Sequence, residues 1–148
     1  MMSRSLGFFV VSLLLLSTQS FSAEDRNSEI VRAYTDAYNA QDVDAMLVLA
    51  SDDIRWMSVA DTKISVEAKG KQPLHLAMTA FFAAKPAAYS ELRETQSLGR
   101  FISVVEEAFW ERDGDKGSQC ALAVYEIEED LILNVWYYSA QPCGNPAN

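Results

Sequence analysis

Asp130–Ser139 reads DLILNVWYYS, a run of branched and aromatic residues near the C-terminus. A second apolar run, Gln119–Ile127 (QCALAVYEI), precedes it, with only Glu128-Glu129 between them. Two strand-forming runs joined by a short polar turn predict an antiparallel hairpin. Neither run is long enough to cross a bilayer. The hairpin needs further strands beside it and a layer to cover its apolar face, and the chain upstream has to supply both.

Phe101–Arg112, FISVVEEAFWER, predicts a long strand, and the loop Asp113-Gly114-Asp115-Lys116-Gly117 joins it to the hairpin. Ala87–Thr95 is a strand of weaker pattern. Ile54–Ala60, IRWMSVA, alternates, turns at Asp61-Thr62 and returns as Lys63–Ala68. The helices come early. Asn27 or Ser28 can cap the first, whose stripe is Ile30, Val31, Tyr34, Ala37 and Tyr38. Asp42 caps a short second helix with Val43, Met46, Leu47 and Ala50 inward. Pro73 suits the first turn of a third, carrying Leu74, Ala77, Met78, Phe81 and Phe82 before Lys85-Pro86 stops it. Three early helices and a set of long antiparallel strands predict an α+β domain. Its helices pack on one face of a strongly curved sheet and leave an apolar pocket between the layers.

The chain has 148 residues, about half hydrophobic, enough for one domain with a real core. Its first 23 residues read as a secretory leader. Arg4 is the positive end, Leu6–Leu16 (LGFFVVSLLLL) the apolar stretch, and Ser20–Ala23 the small-residue cleavage region. The expected organisation is a leader over 1–23, a domain over 24–140 and a loose tail over 141–148. The expected compartment is the bacterial periplasm or the exterior, with no stable membrane anchor after cleavage. Losing Arg4 takes the net charge from −9 to −10. An acidic surface repels phosphate backbones, so nucleic acid is not an expected partner.

Cys120 opens one hairpin strand and Cys143 lies just past the other, so an exported chain can bridge them. Two free buried thiols are the alternative. One histidine, His75, and two cysteines do not make a usual metal set, and no Gly-rich phosphate loop is present. No metal and no cofactor are therefore expected.

The runs IVRAYTDAYNAQDVDAMLVLASDDIRW, AMTAFF and YEIEEDLILNVWYY together resemble the NTF2-like superfamily in its SnoaL-like branch. The resemblance covers about Ser28 to Ser139. It implies a cone-shaped α+β barrel, a curved antiparallel sheet wrapped around three helices, often a homodimer through the sheet's outer face. It does not imply one activity, because the superfamily spans isomerases, cyclases, dehydratases, hydrolases and non-catalytic binders. Compared with ketosteroid isomerase, the helix-one tyrosine falls on Tyr34. The position of the base is Ser58 and that of the oxyanion aspartate is Ala123, so that mechanism loses two of its three groups.

The resemblance also sets strand facing. Ile54, Trp56 and Ser58, then Tyr125 and Ile127, then Ile132, Asn134, Trp136 and Tyr138 are expected to point inward. Asn134 would orient a ligand or make a structural hydrogen bond. Trp56, Trp110 and Trp136 would line an aromatic pocket or fill the core. Glu106 and Glu107 are adjacent in an apolar strand, so one faces each way. Glu106 is the candidate acid/base residue, with Arg55 or Arg100 as alternative ion-pair partners. Tyr34 is the second catalytic candidate. The expected ligand positions are thus Tyr34, Trp56, Ser58, Trp110, Tyr125, Asn134, Trp136 and Tyr138. Two functions stay open: a non-catalytic binder of a small hydrophobic molecule, or a cofactor-free isomerase, dehydratase or hydrolase.

Overall fold

The structure, a computed structural model, describes residues 22–112 and 114–144. All of the expected leader except Ser22 and Ala23 lies outside them. Helix α1 runs Ala23–Asn39, α2 Val43–Val48 and α3 Lys71–Ala84. The strands are β1 Ala50–Ala60, β2 Lys63–Lys69, β3 Tyr89–Leu98, β4 Phe101–Arg112, β5 Asp115–Glu128 and β6 Leu131–Tyr138. No described helix is long and apolar enough to cross a membrane.

Helix α1 begins earlier than the Asn27 or Ser28 cap predicts. The Ser22 side chain accepts from the Asp25 amide, and Glu24 and Asp25 add negative charge to the first turn. Asp42 caps α2 through the Ala45 amide, as its position predicts. Gly70 (φ 87°) precedes α3, and this left-handed corner lets the chain leave β2 and turn into the helix.

The six strands form one sheet in the order β2-β1-β6-β5-β4-β3. Neighbours are antiparallel except β1 and β6, which run parallel; between them the chain travels through β2, α3, β3, β4 and β5 before β6 returns beside β1. The helices cover one face. Ile30, Val31, Tyr34 and Ala37 of α1, Met46 of α2, and Leu74 and Phe82 of α3 meet Ile54, Ile102, Val104, Tyr125, Ile132 and Val135 of the sheet. Each such large apolar side chain contributes about 1.5–3 kcal/mol on burial.

The facing expected for β6 needs correction beyond Ile132. Ile132 is opposite Ile127, but Asn134 is opposite Glu126, so β6 carries one extra residue at Leu133. A bulge of one residue moves everything after it to the other face. Val135 and Tyr137 therefore point inward, while Asn134, Trp136 and Tyr138 point outward, against the expectation for these three. Trp136 lies beside Met57 of β1 and Val124 of β5.

The segment expected to be a loose tail is tied down over its first residues. Cys120 and Gln141 exchange two backbone hydrogen bonds, and Cys120 and Cys143 form a disulfide.

Candidate functional site

β4 places Glu106 inward and Glu107 outward. Glu106 is 8% exposed. Its Oε1 accepts from the Ser90 hydroxyl on β3 and its Oε2 from the Tyr137 hydroxyl on β6. The Tyr137 and Tyr125 hydroxyl oxygens lie 3.0 Å apart. Burial pushes the Glu106 carboxyl above the usual carboxylate range, and the bonds from Ser90 and Tyr137 pull it partly back. Burial, and then the charge of Glu106, raise the hydroxyl pKa of Tyr34 and hold that of Tyr38 up at about 12. Tyr125 and Tyr137 are raised for the same reasons.

The expected alternatives for Glu106 are not realised. Arg55 donates to the Asn134 carbonyl oxygen at 3.0 Å, and Arg100 pairs with Glu126 at 2.6 Å. Asn134 in turn donates to Glu126 at 2.6 Å. The outer face thus holds a satisfied polar network, and Asn134 belongs to that network. Glu107 pairs with Arg93 at 2.5 Å. Glu107, Cys120 and Cys143 stand within 4.8 Å of one another, but both sulfurs are spent in the disulfide. His75 is on the surface of α3, 3.6 Å from Asp44.

Around Glu106 the walls are aromatic. Trp56 stacks on Tyr137 with centroids 4.9 Å apart and planes at 21°. Tyr34 lies 6.2 Å from Trp56 and 6.3 Å edge-on from Tyr125. Among the described residues, the Tyr34 hydroxyl is the one buried side-chain polar group without a hydrogen-bond partner. These rings, with Thr35 and Glu106, line a cavity of about 10 Å3, the space of one water. Tyr38, half-buried on α1, borders both this cavity and a larger open cleft of about 720 Å3. The cleft lies between Phe81 and Ala84 of α3, the turn Lys85–Ala88, and Ala108 and Trp110 of β4.

Of the expected site residues, Tyr34, Trp56, Glu106 and Tyr125 converge on the inner cavity, and Trp110 stands at the outer cleft. Ser58 donates instead to Glu67 at 2.6 Å, near the open edge. Four residues join the site that the sequence reading left out: Thr35, Tyr38, Ser90 and Tyr137. Tyr38 was legible as the next turn of the Tyr34 stripe. Tyr137 was hidden by the bulge, and Ser90 by the weak pattern of its strand.

The SnoaL-like domain family matches residues 31–135. No curated protein sequence matches the chain. Among solved structures, an uncharacterised cystatin-fold protein from Novosphingobium aromaticivorans is 28% identical, with TM-score 0.64 over 75% of this chain and 96% of its own. A putative SnoaL-like polyketide cyclase from Jannaschia is 15% identical, with TM-score 0.67 over 81% and 90%. A hypothetical protein of ketosteroid isomerase-like fold from Catenulispora acidiphila, in complex with trimethylamine, is 13% identical, with TM-score 0.65 over 75% and 85%.

Proposed function

Since the chain belongs to the SnoaL-like domain family, with the NTF2-like cone as its fold, we propose that it binds a small molecule between helices and sheet. The observation that carries this is the cleft of about 720 Å3 leading past Tyr38 to a buried carboxyl, which among the described residues has only hydroxyl partners. Apolar and aromatic walls with a few convergent polar groups are the usual composition of a ligand site. Tyr34, Tyr38, Trp56, Tyr125 and Tyr137 supply the contact surface, Trp110 the entrance, and Glu106 the polar end. Trimethylamine in the Catenulispora protein is a precedent for a guest of small size on this fold.

A titration with 2-naphthol, read by tryptophan fluorescence, tests the cleft. Saturable quenching is expected, weakened by Ala84→Trp, which fills the cleft. Quenching that does not saturate, or that ignores this substitution, removes the reading. A second reading, acid/base catalysis, draws on one observation: Glu106 is held by hydroxyls alone, which leaves its proton free to move. Its test is turnover of a bound small molecule by the unaltered protein and its loss in Glu106→Gln.

The leader-like N-terminus and the disulfide support export. The sheet's outer face carries exposed Ile64, Val66, Leu122 and Tyr138, which supports a homodimer through that face. Leu122→Glu should then halve the native mass; an unchanged mass argues against pairing there.

A further inference from the structure

The inner cavity has an electrostatic imbalance. Ser90 and Tyr137 both direct hydrogens at Glu106, and Tyr125 is placed to do the same for Tyr137. Such a chain of donors suits a negative charge. Yet, among the described residues, no Lys, Arg or His lines the cavity. A buried carboxylate is normally paired, because the interior does not screen its charge. Here the described residues supply the donors and no counter-charge.

The walls say what kind of cation would complete the site. Tyr34, Trp56, Tyr125 and Tyr137 meet at interplanar angles from 21° to 74°, so they enclose a box. Aromatic faces attract weakly hydrated organic cations. A divalent metal needs several oxygen ligands, and one carboxylate does not provide them. An anion would meet both Glu106 and a net charge of −9. A neutral guest would leave the carboxyl unpaired.

We infer that the cavity is an aromatic cage for a small methylated ammonium ion, with Glu106 as its counter-ion and Tyr38 as the ring that yields to admit it. The inference rests on the ligand-binding reading above and names the ligand class for that site. The cavity's small volume, about 10 Å3, means that a guest needs Tyr38 to move toward the cleft, and it favours a guest of a few heavy atoms. The Tyr34 hydroxyl, unpartnered and 2% exposed, faces the same space and can turn its oxygen lone pairs toward the cation.

The described groups around Glu106 are Tyr34, Thr35 and Tyr38 from α1, Trp56 from β1, Ser90 from β3, Tyr125 from β5 and Tyr137 from β6, and the Thr35 hydroxyl donates to the Val31 carbonyl. The tyrosines all titrate far above neutrality. Ammonium affinity should therefore follow the ionisation of Glu106 alone. It should fall as pH drops through that titration, with one proton released per cation bound on the acid side.

The test is calorimetric titration of the oxidised full chain with tetramethylammonium, with its neutral analogue 2,2-dimethylpropanol, and with 2-naphthol as cleft probe. The expected result is at least about tenfold preference for the cation over the neutral analogue, lost in Glu106→Gln. Equal affinity for the two, or a preference that survives Glu106→Gln, overturns the cage while naphthol binding keeps the broader reading. Binding of none of the three overturns both. If Glu106→Gln fails to fold, the pH series on the unaltered protein decides: a pH-independent preference refutes the cage.

Discussion

Glu106 combines burial with hydroxyl partners only, and this fixes its effect on stability. Its pKa in the fold lies above the unfolded value. The folded state therefore binds more protons than the unfolded chain in the window between the two values. Stability from this group is present at low pH and is lost as pH rises through the folded pKa. Glu106→Gln removes that loss. Thermal unfolding between about pH 4 and pH 8 should show the substitution becoming more favourable as pH rises. A difference independent of pH would mean Glu106 titrates normally. Tyr34 makes a second case. Its hydroxyl is buried without a partner, so Tyr34→Phe should not destabilise the apo protein, and a gain of up to about 1 kcal/mol in urea unfolding is expected. A clear loss would reveal a partner for that hydroxyl.

Among the elements, the β4–β5 hairpin places Trp110 at the cleft entrance. Trp110 is opposite Gly117, and a Cβ on Gly117 would lie 2.5 Å from its ring. The indole thus rests directly on the glycine backbone. Gly117→Ala should push the ring away, at a cost of about 1–2 kcal/mol, and change the tryptophan emission. It should also weaken naphthol binding. Unchanged emission would mean that the ring does not rest there. On β6, the single extra residue at Leu133 decides which aromatics meet Glu106. Tyr137 does, because Asn134, Trp136 and Tyr138 have turned outward.

At the scale of the molecule, the disulfide ties the C-terminal segment to the middle of β5 across a sequence separation of 23 residues. The chain-entropy model gives about 3 kcal/mol for a loop of this size. Reduction, or Cys143→Ser, should lower the urea midpoint accordingly with the slope little changed. An unchanged midpoint would mean that the bridge adds no stability. The fold was largely legible at this scale. The predicted hairpins, the three helices and most of their inward stripes follow from period and caps, although Ala77, expected inward on α3, is exposed; the cysteine pair follows from its place at the hairpin ends.

The sequence by itself left open which of Glu106 and Glu107 faces inward, but it determined the α+β class, most of the helix stripes and the near approach of Cys120 and Cys143. These depend on local periodicity and on which residues lie opposite in a hairpin. Tertiary structure alone decided the parallel seating of β6 beside β1, the bulge at Leu133 and hence Tyr137 as the partner of Glu106. It also decided that Ser90, from a strand of weak pattern, would complete the site. The physical reason is that strand alternation has a period of two. One inserted residue reverses it, and where that residue falls is set by the fit of β6 between two neighbours, which no single strand's pattern records.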